Sequence, residues 1–214
     1  MRYPTSRLLV ALLAAAPASA MPAPAVAQGQ QAGALATRQE AQAAFDSARA
    51  SFVKQDFQAA ADALRRAANF LSTQASTAEE GAKGVFAEAA RGLDELSQDV
   101  EKGAVKTAEA LDRAFARAHQ AEAHNHYLRA KDALTRKENT TAGEEMLMAA
   151  DHLERGTKDA GERLKGGSVT AVQHARATAG KLIRNTRLAA EEVDKDVAAL
   201  GKEIERLSAT LRRG

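Results

Sequence analysis

All four prolines lie at or before Pro24, so residues 25–214 run without the strongest helix breaker. That stretch is dominated by Ala, Glu, Lys, Arg, Gln and Leu, which are good helix formers because they lose little side-chain freedom in a helix. No window alternates β-branched residues with the period of two that a half-buried strand needs. The pattern predicts an all-α chain, a bundle of about six helices with no sheet.

The N-terminus reads differently from the rest. Arg2 and Arg7 precede an apolar run from Leu8 to Ala16, which is followed by small residues ending at Ala18-Ser19-Ala20, with a second such triplet at Ala25-Val26-Ala27. Basic, apolar and small-residue regions in that order form a secretory signal, and the apolar run is too short to span a bilayer. Residues 1–27 are therefore predicted to be a signal peptide cleaved after Ala20 or Ala27. Residues 28–36, rich in Gln and Gly, are a flexible leader, and residues 37–214 are one helical domain.

Export changes the charge balance. Residues 1–27 hold two Arg and no acid, so the 30 basic residues fall to 28, against 28 acidic ones. A neutral mature chain with no Trp, two Tyr and six Phe lacks the basic patches and stacking surface of a nucleic-acid binder. The chain has no Cys, which excludes disulfides, thiolate chemistry and thioether-linked haem. No later segment is apolar for long enough to cross a membrane. The expected location is the periplasm or the exterior.

Capping signals divide the domain. A first stripe of Ala41, Phe45, Ala48 and Phe52 stops near Lys54, and Asp56 is placed to cap a second helix with Phe57, Ala60, Leu64, Ala67 and Leu71 inward. Ser76 or Thr77, followed by Glu79 and Glu80, suggests a third N-terminus. The third stripe is Val85, Ala89, Leu93, Leu96 and Val100, ended by Lys102-Gly103. A fourth helix passes through Leu111, Phe115 and Ala118, Asn139 or Thr140 caps a fifth, and Lys165-Gly166-Gly167 ends it. From Ser168 one long helix is expected to close the chain. Its spacing of Thr186, Ala190, Val193, Val197, Leu200, Ile204, Leu207 and Leu211 is a heptad seam. The flanking Asp194, Gly201, Ser208, Asp196, Glu203 and Thr210 offer no complementary charge pairs. The seam is therefore expected to pack inside its own bundle, with a homo-oligomer through this helix as the alternative.

Residues 41–71 are echoed 82 positions later at 123–153: Phe45 aligns with Tyr127, Arg49 with Lys131, Asp56 with Glu138, Leu64 with Met146 and Leu71 with Leu153. Each copy is expected to be a two-helix hairpin. The spacing Phe57, Ala60, Leu64, Ala67 resembles the second helix of a tetratricopeptide repeat, followed less closely by Asn139, Ala142, Met146, Ala149. The copies do not follow one another in tandem and lack that repeat's closing Pro. A signal peptide followed by two Ala-rich hairpins is also similar to YfdX-type exported helical proteins. That resemblance implies a non-enzymatic role in envelope stress.

Chemistry-bearing residues gather in one place. His119, Glu122 and His126 follow offsets of three and four, which put them on one face of a helix, with His124 nearby. Two imidazoles and a carboxylate form a ligand set for Zn or Cu, and they continue the apolar stripe inward, where a ligand role would offset the cost of burial. The competing reading is a polar turn at His124-Asn125-His126 facing water. His152 and His174 could complete such a site from other helices, but His152 stands where the first copy has Phe70 and reads first as a half-buried packing residue. Met146 replaces Leu64 and reads as core, not as a haem ligand. No nucleophile elbow and no phosphate loop occurs. The leading expectation is thus a non-enzymatic exported scaffold without a cofactor, binding a protein or peptide; the alternative is a metal-binding bundle through His119, Glu122 and His126.

Overall fold

The structure, a computed structural model, describes residues 40–164 and 166–213; the predicted signal peptide and leader lie outside the described residues. Seven helices occur among them: α1 (residues 40–53), α2 (Phe57–Thr77), α3 (Glu80–Glu101), α4 (Glu109–Thr135), α5 (Asn139–Asp159), α6 (Gly167–Ile183) and α7 (Ala190–Arg213). The chain is an all-α bundle with no strand among the described residues. No described helix is long and apolar enough to cross a membrane.

Two apolar clusters form the core. The first joins Phe45, Ala48 and Phe52 of α1 to Leu64 and Leu71 of α2, Phe86 and Leu93 of α3, and Leu111 and Phe115 of α4. The second joins Ala123, Ala130 and Ala133 of α4 to Met146 and Leu153 of α5, Val172 and Leu182 of α6, and Leu200, Ile204 and Leu207 of α7. Alanine supplies much of both clusters, so helices approach closely. At Gly143 of α5 a Cβ would lie 2.6 Å from the Ala179 carbonyl oxygen of α6, and only the missing side chain permits that crossing.

The two hairpin turns have one backbone. Gln55 and Lys137, 82 positions apart, both take φ 61°, in the left-handed region. At the first turn the Asp56 N–H donates to the Ser51 carbonyl; at the second, the Glu138 N–H donates to the Ala133 carbonyl, again at corresponding positions. Such bonds satisfy carbonyls that a helix end leaves open. Asp56 caps α2 as expected, its Oδ1 accepting from the Ala59 N–H at 3.1 Å.

Other boundaries differ from expectation. Ser76 and Thr77 do not cap α3, because α2 runs through both; the Ser76 hydroxyl donates back to the Thr73 carbonyl instead. The start of α3 is capped from another helix, the Glu79 N–H donating to Asn125 Oδ1 of α4 at 2.9 Å. Neither Asn139 nor Thr140 caps α5, whose N-cap is Glu138, without a side-chain bond. That helix ends at Asp159, with Gly161 at φ 69°, well before the glycines at 166 and 167.

The predicted long closing helix is two helices. Asn185 takes φ 50°, and the N–H groups of Asn185 and Thr186 donate to the carbonyls of Leu182 and Lys181, closing α6 with the same device that ends α1 and α4. Thr186 and Ala190, the first seam positions, are exposed. The seam from Val193 to Leu211 is buried in the second cluster, against α4, α5 and α6.

Candidate metal centre

Helix α4 runs unbroken through residues 124–126, so the polar-turn reading is overturned. His119, Glu122 and His126 all point into the protein, each under one-tenth exposed. The fourth member comes from α5: His152 is buried at 8% exposure rather than half-buried, and its ring nitrogens face His119 and Glu122. The α4–α5 crossing at Gly156 explains the closeness, since a Cβ there would lie 3.2 Å from both the Ala116 carbonyl oxygen and His119 Cβ.

The group best arranged for an ion is Glu122, His126 and His152, whose ligand atoms all lie within 4.8 Å of one another. Two members of the expected set of His119, Glu122 and His126 belong to this group, and His119 lies outside it. Instead its Nδ1 meets His152 Nδ1 at 3.2 Å. His152 turns its other nitrogen, Nε2, to Glu122 Oε2 at 3.0 Å. The His126 and His152 rings stack with centroids 5.5 Å apart and an 18° angle.

Carboxylates and aromatic rings hold these imidazoles. His126 Nδ1 lies 2.5 Å from Glu145 Oε2, and His119 Nε2 lies 3.6 Å from Asp159 Oδ2. The His119 ring also stands edge-on to Phe45 of α1, centroids 5.4 Å apart. Asp159 in turn meets the Arg49 guanidinium at 3.3 Å, which also holds Asp112 at 2.5 Å. Two carboxylate–imidazole pairs thus flank the set, the arrangement that fixes ring orientation around metal ions.

Electrostatics favour deprotonated ligands. Burial, with the neighbouring His152 adding to it, presses His119 down to about 3, and burial also lowers His126 against the opposing pull of Glu145. Burial works against the Glu122 carboxylate, but the charge and hydrogen bond of His152, with His126 and His119 beside it, outweigh it and hold the group at about 2. An ionised Glu122 and a His126 that resists protonation are what a cation requires of these two groups.

The remaining histidines stand apart. His124 is half-buried, its ring tilted against Tyr127, and His174 is exposed, with Nδ1 3.6 Å from Asp196 Oδ1. Sequence reasoning ranked His152 as packing ahead of ligation and did not single out Glu145 for this site. The signal was present in the repeat: His152 and Glu145 occupy the positions that Phe70 and Ala63 hold in the first copy.

Comparison with known proteins gives no match, whether to a family model, to a curated protein or to a solved structure.

Proposed function

We propose that this chain is an exported helical protein that binds one divalent transition-metal ion through Glu122, His126 and His152. The observation that carries the reading is the convergence of these three ligand atoms, from two helices, inside the bundle. Two imidazoles and one carboxylate suit Zn(II), Co(II), Fe(II) or Cu(II) rather than Ca(II) or Mg(II), which take oxygen ligands. Ligand bonds of about 2.1 Å place two atoms on one ion at most about 4.2 Å apart, so small inward side-chain rotations complete the set. Export rests on the signal-like N-terminus. The likeness to YfdX-type proteins belongs to the same proposal and rests on that segment and the Ala-rich hairpins. The function is one of binding: the cluster supplies ligands and orienting carboxylates.

The scaffold reading keeps one supporting observation. A cleft lined by Val85, Ala89, Arg117, Gln120, Leu211 and Arg212 lies where α3, α4 and α7 meet, with a size and mixed polarity suited to a peptide side chain.

Titration of chelator-treated protein lacking a His tag with Zn(II) tests the metal reading, with uptake of one ion per chain expected. At a hundredfold excess over Kd the ion stabilises the fold by about 2.7 kcal/mol, visible as a raised Tm. His152→Phe, which installs the residue of the first copy, should keep the helical content and remove the ion. Wild-type protein that takes up no Zn(II), Co(II) or Cu(II) would overturn the proposal.

A further inference from the structure

Resting on the metal reading above, we infer that His119 is not a ligand but the residue that positions His152, through an Asp159–His119–His152 chain ending at the ion. The geometry is a set of nitrogen-to-nitrogen and nitrogen-to-oxygen contacts in series. Asp159 Oδ2 faces His119 Nε2 at 3.6 Å, His119 Nδ1 faces His152 Nδ1 at 3.2 Å, and His152 Nε2 faces Glu122 Oε2 at 3.0 Å.

Two neutral imidazoles that meet nitrogen to nitrogen must be one donor and one acceptor. Without an ion, the Glu122 carboxylate accepts from His152 Nε2–H. The His152 Nδ1 is then bare, and His119 donates to it from Nδ1–H. An ion on His152 Nε2 requires a lone pair there, so the His152 proton sits on Nδ1 and His119 Nδ1 becomes the acceptor. The His119 proton then lies on Nε2, facing Asp159. The count balances: one proton leaves at His152 Nε2, one is taken up from water at His119 Nε2, and the proton between the two rings changes owner. Each ring stays neutral.

This chain is the outer support that metal-bound histidines commonly have, with an extra imidazole inserted between carboxylate and ligand. It also explains why His119 is buried among partners yet outside the ligand set. Arg49, anchored by Asp112, holds Asp159 in place from α1, and Phe45 of the same helix closes over the His119 ring. Through Arg49 and Phe45 the first hairpin thus reaches the outer support of the site.

The experiment compares His119→Leu, His119→Asn and Asp159→Asn in the full chain, using Zn(II) affinity by chelator competition and the visible absorption of bound Co(II). His119→Leu removes the acceptor at Nδ1 and should weaken Zn(II) about 10–100-fold while leaving one ion per chain and the Co(II) bands in place. His119→Asn puts an amide oxygen near the Nδ1 position and should restore affinity close to wild type. Asp159→Asn keeps the shape at the outer end of the chain, should weaken binding less than His119→Leu, and carries the test if His119→Leu fails to fold by circular dichroism. Unchanged affinity in His119→Leu, or in Asp159→Asn where that variant carries the test, overturns the inference. So does loss of stoichiometric binding with shifted Co(II) bands in both His119 variants, since His119 would then be a ligand itself. Wild-type protein that binds no ion sinks the metal reading as well, whereas wild-type binding with an indifferent His119 sinks this inference alone.

Discussion

The two hairpins share a backbone and differ in what they bury. In the first, Ala44, Ala63 and Phe70 sit on the apolar cluster; in the second, the same positions carry His126, Glu145 and His152. Turn geometry is the same, with Gln55 and Lys137 at one φ. A dry version of the hairpin therefore packs well, and the fold does not need the polar groups. Burying imidazoles and carboxylates costs several kcal/mol unless they are paired, and the second copy pairs them, His126 with Glu145 and His152 with Glu122.

The largest way to break the comparison is to put the second copy's acid into the first. Ala63 is fully buried, and the equivalent of His126 there is Ala44, so Ala63→Glu buries a carboxylate without a partner. It should cost about 3–5 kcal/mol in urea denaturation, and adding Ala44→His should recover part of that. A tolerated Ala63→Glu would mean that the first hairpin is not dry.

Acid sharpens the contrast next. The unfolded chain protonates His119 at its ordinary value of 6.5, whereas burial first, then His152 and the cations Arg155 and Arg49, keep the folded ring unprotonated down to about 3, with Glu122 opposing them. Between those values the unfolded state binds more protons, so stability falls as pH falls. Glu122, lowered from 4.5 to about 2, acts in the same direction: its contribution is full above 4.5 and is lost toward 2. Ion-free protein should lose about 2 kcal/mol or more between pH 7 and 4.5. His119→Leu should flatten the profile; an equally steep one in that variant would show that the cluster is not its source.

The smallest effect concerns close approach. Gly143 corresponds to Ala61, and at Gly143 the backbone of α6 comes so near that a Cβ would lie 2.6 Å from the Ala179 carbonyl oxygen. Gly143→Ala should destabilise by about 1–2 kcal/mol despite its better helix propensity, because α6 must move away. Ala61→Gly should cost about 1 kcal/mol, by backbone entropy and a lost methyl. A stabilised Gly143→Ala would place α6 farther from α5 than described.

Much of the fold was legible because missing Pro and abundant Ala leave few alternatives to helix. The break at Asn185 was not, because the apolar spacing of Ala175, Ala179, Leu182, Thr186, Ala190 and Val193 runs in threes and fours straight across the turn. Periodicity records which side faces inward and is silent on a left-handed residue that restarts the helix in phase. At the site, Glu122 and His126 could be read because they lie on one helix within its own period. His152 and Glu145 depend on how α5 crosses α4, which close contact at Gly156 and no local pattern decides.

Helix α4 belongs to both cores, Leu111, Phe115 and Ala118 lining one cluster and Ala123, Ala130 and Ala133 the other. At 27 residues it is a rod about 40 Å long, and Glu122 and His126, two of the three proposed ligands, sit near its middle. Two compartments that share one beam are coupled through it, so an ion clamped at mid-span would brace the first hairpin as well as the second.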